Sequence, residues 1–325
     1  MTSNVKTLRL PSARPGREHS GVDNICHTLV GAALARTGLK RRTSLGAATM
    51  MIGANFPDID ILSAPFGRAT EFRRGWTHGI LALVVLPFVL AGLVMLWDRY
   101  FRKRFEVSDP PVVPRQLLLL AAFSIWTHPV LDWMNSYGLR WLMPFDGHWF
   151  YGDSLFIIDP YLLVVLGLGV LISRGLEGGN AANPWWPARV AIGVAAVYMV
   201  AMFGLQNLAE RTARQALLGT GYAAKKLVVT PSPAKPFSWR VHADDGSRYR
   251  TGNVSVLRRR LTLDPKTLEK NADDPAVRIA VQDKTVQPFL DWARLPFFRV
   301  DRTASATIVR ITDARYGATV AVSVR

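Results

Sequence analysis

The sequence predicts an α-helical polytopic membrane domain of about four long spans plus two short helices, followed by a small β-rich domain. One observation is that every long apolar run falls before residue 209, although hydrophobic residues make up an ordinary 49% of the 325 residues. A second is that later segments alternate apolar and polar residues between turn sequences. We therefore expect a basic, disordered tail at 1–22, a membrane-embedded helical domain at 23–208 and a soluble basic β-rich domain at 209–325.

The long spans are predicted from the length of the apolar runs. Residues 78–97, HGILALVVLPFVLAGLVMLW, contain no charged residue apart from the leading histidine. A run of about 20 apolar residues crosses the hydrocarbon as a helix. Residues 117–134, 155–172 and 188–208 have similar lengths with one or two polar interruptions. These four segments are expected to span the membrane.

Two shorter segments rich in Gly and Ala, residues 27–35 and 43–54, precede the long spans. Small residues allow close helix packing in membranes, so the two segments form either a hairpin buried in the bundle or a pair of interfacial helices. The tail before them carries four basic residues and no apolar core long enough for a secretory signal. Insertion is expected to rely on the internal spans.

The region after residue 209 is predicted to form strands and contains most of the net positive charge of the chain. From residue 210 onward, 21 basic residues stand against 11 acidic ones, while the whole chain has a net charge of +16. This part has no recognised nucleic-acid-binding module, so we expect anionic lipid headgroups, and not nucleic acid, as its partner. The alternating segments are LVVT, SWRVHA, RYRTGNVSVL, VRIAVQ, ATIVRIT and ATVAVSV.

The stretch at 126–159 interrupts an apolar run with polar residues. His128 and Asp132 are four residues apart, which places an imidazole and a carboxylate on one face of a helix. Asp58 and Asp60 flank Ile59 after the helix-ending Pro57, so both carboxylates can face one centre. Following the chain through six helices brings a set of polar residues to one side of the membrane. They are His27, Asp58, Asp60, His78, His128, Asp132, Asp153 and Asp159.

Such a set is costly unless its members pair or bind a cation, because an ionised group at bilayer depth costs about 2.5 to 3.5 kcal/mol. Mixed His and Asp ligands suit zinc, or manganese and iron. A bound metal lowers the pKa of water and creates a nucleophile. The alternatives are that His128 and Asp132 form an ion pair that stabilises the helix, and that Asp159 caps a helix.

Several segments resemble the YdjM-like family of predicted membrane-bound metal-dependent hydrolases, also described as LexA-binding inner-membrane proteins. They are DNICHTLVGAALA, NFPDIDIL, RRGWTHGIL, WTHPVLDWMNSYGLRWLMPF and IIDP. The resemblance implies that the metal and catalytic positions are His27, Asp58, Asp60, His78, His128, Asp132 and Asp159. One departure is Arg73, since members often have a histidine two residues before the Gly of their R-G-x-T-H motif.

The leading hypothesis is a membrane-bound metal-dependent hydrolase that acts on a phosphoester of a lipid or lipid-linked molecule. The expected metal is zinc, with manganese or iron as alternatives, and the partner is membrane lipid. We expect the metal ligands to be His27, Asp58, Asp60, His78, His128 and Asp132. The expected catalytic residues are Asp60, Asp132 and Asp159, and those expected to bind phosphate are Arg73, Arg74 and Arg140. A non-enzymatic membrane scaffold or regulator with a structural polar cluster is the rival hypothesis.

The distribution of basic residues predicts an orientation in the bacterial inner membrane. The loops opposite the polar set hold ten Lys or Arg, against four in the short loops beside it. Four more basic residues, in the tail, reduce this difference. The positive-inside tendency then places the site and the C-terminal domain on the extracytoplasmic side.

Overall fold

The fold is described from a computed structural model of the chain, for residues 20–66, 72–102 and 111–324. The chain divides into two compact units, of which one is His19–Leu205 and the other contains Gln206–Arg325. Most of the predicted basic tail lies outside the described residues. The first helix begins at Ser20, within the last residues assigned to that tail.

The helices of the described chain follow the predicted order. They are α1 (Ser20–Arg36), α2 (Gly46–Gly53), α3 (Ile80–Tyr100), α4 (Pro114–Met134), α5 (Pro160–Gly178) and α6 (Trp186–Gly219), with 3₁₀ helices at Leu39–Arg42 and Phe56–Phe66. Within the described residues, α3 to α6 are long and apolar enough to cross a membrane. The predicted fold class, a helical membrane part followed by a β-rich domain, is confirmed.

Helices α3 and α4 form a hairpin held by apolar side chains. Leu86 and Leu90 of α3 belong to one buried cluster with Leu117 and Ile125 of α4. Most other large side chains of α3 are exposed, as expected for a surface that faces lipid. The hairpin therefore brings the start of α3 beside the end of α4, where the polar residues are.

The two short helices form a hairpin that packs on α4 through one face, while Met51 and Ile52 on the other face of α2 are exposed. A Cβ atom on Gly31 of α1 would lie 2.5 Å from the carbonyl oxygen of Met50 in α2, so only glycine permits this approach. Met50 is fully buried in a cluster that includes Leu34 and Leu120. The contact fixes the end of α2 against the bundle and directs the chain into the 3₁₀ helix that carries Asp58 and Asp60.

The observed spans differ most from the predicted bounds in α5 and α6. The span expected from residue 155 begins at Pro160, because Leu155 forms a bridge with Asn135 and Asp159 caps the helix. The last helix continues to Gly219, since the polar segment after residue 208 remains helical. The first strand therefore begins only at Lys226.

The C-terminal unit contains two antiparallel sheets. One has the order β1-β2-β3-β4 and the other β5-β6-β7. A buried cluster of Val228, Tyr249, Leu295 and Phe297 joins the two. The strands are β1 (Lys226–Ser232), β2 (Lys235–Asp244), β3 (Arg248–Ser255), β4 (Arg260–Glu269), β5 (Pro296–Arg302), β6 (Thr307–Asp313) and β7 (Thr319–Val324).

The strand predicted at 277–282 is wrong. Residues 275–280 form the short helix α7 (Pro275–Ala280), which is followed by α8 (Gln287–Trp292). Asp274 accepts a hydrogen bond from the backbone N–H of Ala276, and Pro275 occupies the first turn. A capping Asp followed by Pro is a helix-start signal, and here it outweighs the apolar alternation.

Candidate metal centre

Four side chains from three segments meet at the membrane-domain end where the α3–α4 hairpin opens. Asp58 lies in the 3₁₀ helix Phe56–Phe66 and His78 lies just before α3. His128 and Asp132 are four residues apart near the end of α4. One ligand atom from each residue lies within 4.8 Å of the others. Among the described residues, this group could hold a metal ion.

The ligand atoms surround a single point. The Nε2 atoms of His78 and His128 lie 3.1 Å apart. Asp132 Oδ2 lies 3.3 Å from His78 Nε2 and 3.4 Å from His128 Nε2. Asp58 Oδ1 lies 3.8 Å from each of the same two nitrogens. Ligands about 2.0 Å from a tetrahedral zinc ion lie about 3.3 Å from one another, so these separations suit a cation at the centre.

The hydrogen bonding of the carboxylates also fits a cation. Asp58 Oδ1 and Asp132 Oδ2 are buried and accept no hydrogen bond from the part of the chain that the structure describes. A buried carboxylate oxygen without a donor carries a desolvation cost unless a positive charge compensates it. The two imidazoles and two carboxylates are the donor types that zinc, manganese and iron accept.

The backbone of α2 fixes the tautomer of His128. His128 Nδ1 lies 2.7 Å from the carbonyl oxygen of Ala54. A carbonyl oxygen can only accept, so Nδ1 carries the hydrogen and the neutral ring keeps the lone pair on Nε2. Nε2 is the atom that faces the centre. Second ring nitrogens of metal-binding histidines are commonly held in this way.

The ring of His78 is held from its other side. His78 Nδ1 lies 3.0 Å from Thr77 Oγ1 and 3.7 Å from Asp60 Oδ2. Thr77 lies two residues before Gly79, the cap residue of α3, which makes no side-chain capping bond. The hydroxyl of Thr77 contacts the imidazole. Asp60 also accepts a hydrogen bond from the backbone N–H of Arg74 at 2.7 Å, which positions its carboxylate behind His78.

Asp132 presents Oδ2 to the candidate metal centre and Oδ1 to the guanidinium group of Arg74. Its Oδ1 lies 3.0 Å from Arg74 Nη2 and 3.4 Å from His27 Nε2. His27 stacks on His128, with ring centroids 3.9 Å apart. The structure therefore brings His27 and Asp60, both predicted ligands, against the four-residue group without including them among the converging ligand atoms.

The three predicted phosphate-binding arginines occupy different environments. Arg74 is buried, and besides Asp132 it donates to Asn135 Oδ1 at 3.1 Å. Arg140 donates to the carbonyl oxygen of Arg73 at 3.1 Å and lies over the ring of Trp149. Arg73 is partly exposed, with its Nη1 3.9 Å from Asp60 Oδ1. Arg73 and Arg140 are both partly exposed, whereas Arg74 is buried.

Asp159, a predicted catalytic residue, has its oxygens engaged elsewhere. Oδ1 accepts from the backbone N–H groups of Tyr161 and Leu162, which makes Asp159 the cap of α5. Oδ2 accepts from the hydroxyl of Tyr198 at 2.8 Å. These bonds match the helix-capping alternative.

Two groups that contribute to the site, the Ala54 carbonyl and Asn135, were not predicted from the sequence. The carbonyl of Ala54 is a backbone group, so residue type gave no signal for it. Asn135 holds Arg74 and also accepts a hydrogen bond from the backbone N–H of Tyr137 at 2.8 Å. Its position directly after α4, in a polar stretch, was the available signal.

Comparison with models of protein families gives a match. A family model described as YdjM inner membrane protein matches residues 22–211, more than half of the chain. No significant match was found among curated proteins or solved structures. The matched region contains most of α1, all of α2 to α5, most of α6 and all four members of the candidate metal centre.

Proposed function

Because the chain belongs to the YdjM inner membrane protein family and its described residues include four helices long and apolar enough to cross a membrane, we propose that it is a multi-pass, metal-dependent hydrolase. The observation that carries the proposal is the convergence of Asp58, His78, His128 and Asp132 on one point. A divalent metal bound there supplies a Lewis acid and lowers the pKa of a water molecule towards neutrality. Zinc suits the donor set best, with manganese or iron as alternatives.

The protein side chains have distinct roles in this proposal. His128 offers its Nε2 lone pair because its Nδ1 donates to the Ala54 carbonyl. His78 offers the same atom in the tautomer whose Nδ1 donates to Thr77 Oγ1. Arg74 neutralises the outer oxygen of Asp132 and keeps that carboxylate ionised and oriented. Asp58 is the most exposed ligand, at 12% of its side chain. Its side of the centre is where substrate and water would enter.

The surroundings of the centre support a lipid or lipid-linked phosphoester as substrate. Leu62 is 70% exposed and follows the two aspartates in the 3₁₀ helix. Phe145 is 79% exposed, in a loop whose Met143 carbonyl packs against Gly79 beside His78. Exposed apolar side chains at a membrane site suit contact with acyl or prenyl chains. Arg73, partly exposed beside Asp60, is placed to attract the phosphate.

Metal content and hydrolysis measured together test the proposal. Wild-type protein purified in detergent is expected to hold zinc, by elemental analysis, and to hydrolyse a lipid phosphoester in mixed micelles. His128→Ala is expected to lose both. His148→Ala, which removes an exposed histidine outside the ligand group, is the control and should retain both. A metal-to-protein ratio near zero after zinc loading, or full hydrolysis by His128→Ala, contradicts the proposal.

The buried Arg74–Asp132 pair favours a second candidate, a non-enzymatic scaffold or regulator whose polar cluster is structural. A compensated buried pair persists without metal. This candidate predicts that Asp132→Asn lowers thermal stability equally with and without added zinc. The hydrolase predicts that zinc stabilises the wild type and fails to stabilise Asp132→Asn.

We propose an extracytoplasmic site, supported by the basic segments at the far ends of the helices, such as Leu39–Arg42. Two glycines with open space at the Cβ position, Gly147 before α5 and Gly178 at its end, accept labels without clashes. In a Cys26→Ser background, a membrane-impermeant maleimide on intact cells should label Gly147→Cys and spare Gly178→Cys. The reverse pattern places the site in the cytoplasm.

A further inference from the structure

Two turns of the C-terminal unit lie at the same end of its four-stranded sheet. The turn between β1 and β2 ends at Lys235, which pairs with Ser232. β2 then pairs Ser238 with Ser255 at the end of β3, and Ser255 pairs with Arg260 at the start of β4. We call this end the basic sheet end. It comprises Lys235, Phe237, Leu257, Arg258, Arg259 and Arg260, all exposed.

The positive charges of the basic sheet end have no acidic partner in the part of the chain that the structure describes. Residues 231–242 and 253–263 contain no Asp or Glu. Within the described residues, ion pairs of the neighbouring strands use Asp264, which binds Arg240 at 2.5 Å. Lys235 and the three consecutive arginines form no such pair there. The cluster therefore presents a concentrated positive potential to an external anion.

Two large apolar side chains stand among these charges. Leu257 is 72% exposed and Phe237 is 45% exposed. Their backbones lie close together, because the N–H of Val256, the residue before Leu257, donates to the Phe237 carbonyl at 3.0 Å. An exposed apolar pair surrounded by arginines matches the arrangement of interfacial membrane anchors, in which apolar groups enter the acyl boundary and cations remain at the phosphates.

We propose that the basic sheet end binds anionic phospholipid, with Leu257 and Phe237 entering the headgroup region and the arginines on the phosphates. Anionic lipid is favoured over nucleic acid because an exposed aliphatic leucine gains nothing from a phosphate backbone but is stabilised in lipid. The C-terminal strands are also tethered to a helix that is long and apolar enough to cross a membrane, since only residues 220–225 separate α6 from β1. The proposal is independent of hydrolase activity.

The test uses the full chain in lipid nanodiscs. In a Cys26→Ser background, Leu257→Cys carries an environment-sensitive fluorophore. Its emission is expected to shift to the blue in discs of phosphatidylcholine mixed with phosphatidylglycerol and not in phosphatidylcholine alone. Salt at about 1 M, where the Debye length is about 3 Å, should reverse most of the shift. Tryptic cleavage at 258–260 in the unlabelled protein should slow in the same anionic discs.

Charge variants distinguish lipid binding by the basic sheet end from an effect of the overall positive charge of the unit. Each arginine near an anionic surface is worth about fivefold in binding, or about 1 kcal/mol. Changing Arg258, Arg259 and Arg260 together to Gln should abolish the lipid-dependent shift. The control changes Arg278, Lys284 and Arg299, which are exposed elsewhere in the unit, to Gln and should leave it intact. An equal shift in both lipids, an equal loss in the control, or tryptic protection that needs added DNA overturns the proposal.

Discussion

The Nδ1 atom of His128 in α4 donates its hydrogen to the carbonyl oxygen of Ala54, 2.7 Å away at the end of α2. The contact joins a backbone group of a short helix to a side chain of a long one. It holds the imidazole lone pair on the candidate metal centre. Anything that moves the end of α2 away from α4 should therefore weaken metal binding without changing a ligand.

Gly53→Ala should have this effect. A Cβ atom at Gly53 would lie 2.1 Å from Ser124 Oγ, and rotation of that hydroxyl would still leave Ser124 Cβ and Leu90 Cδ2 at 3.2 Å. We therefore expect α2 to shift and to carry the Ala54 carbonyl with it. We expect zinc affinity to fall by about 10- to 100-fold, the range for lost outer-shell partners, when measured by competition with a fluorescent chelator. Ser124→Ala in the same chain removes the clashing atom and should restore much of the affinity. Gly92→Ala, with open space around it, is the control, and unchanged affinity in Gly53→Ala contradicts the prediction.

Arg74→Met should destabilise the metal-free protein more than the zinc-bound protein. The substitution leaves the buried Asp132 Oδ1 without its 3.0 Å ion pair, and breaking a buried pair costs about 3 to 5 kcal/mol. The midpoint temperature of thermal unfolding in detergent should therefore fall strongly. Added zinc should recover part of the lost stability because the ion replaces the missing positive charge. Arg73→Met, at a partly exposed neighbour, should cost much less. Equal shifts for the two variants would show that Asp132 does not depend on Arg74.

Asp159→Ala separates capping from catalysis. The change removes the cap of α5 and the acceptor of the Tyr198 hydroxyl, so stability should fall by about 1 to 2 kcal/mol. Bound zinc should be unchanged. Tyr198→Phe removes only the second bond and should show a smaller effect of the same kind. Loss of hydrolysis with unchanged stability would instead support the catalytic role that the sequence suggested.

His242 should make the C-terminal unit sensitive to acid. It is buried in β2, and burial, with nearby Arg240, lowers its pKa to about 4. Because the folded pKa lies below the unfolded value of about 6.5, the unfolded chain binds a proton that the folded chain excludes. Stability is thus fully present above pH 6.5 and falls as the pH drops towards 4, by about 3 kcal/mol.

Amide hydrogen exchange of β2 at several pH values, corrected for intrinsic rates, measures this loss. His242→Gln removes the titrating group and should flatten the dependence between pH 6.5 and pH 4. Equal pH dependence in the two proteins would show that other groups control the acid response.

The spans and the pair of candidate ligands His128 and Asp132 could be predicted from the sequence because both depend on a local residue pattern. Apolar run length predicted α3 to α6, and the four-residue spacing placed His128 beside Asp132. The Ala54 carbonyl could not be predicted, since every residue carries a carbonyl and only packing through Gly53 selects this one. Asp159 was ambiguous because an aspartate before proline suits a helix cap and a charged site equally. Sequence likewise could not separate Asp58, which faces the centre, from Asp60, which stands behind His78, because this depends on the turn geometry of the 3₁₀ helix.

The ligands also differ in when they leave the ribosome. Asp58 and His78 precede α3, whereas His128 and Asp132 arrive only with the end of α4. A chain interrupted after α3 therefore holds a carboxylate and an imidazole that no later residue has yet joined. Metal capture must await the second arm of the hairpin, so the ion would bind only after the end of α4 has been synthesised, and chains truncated after α3 should neither retain zinc nor gain stability from it.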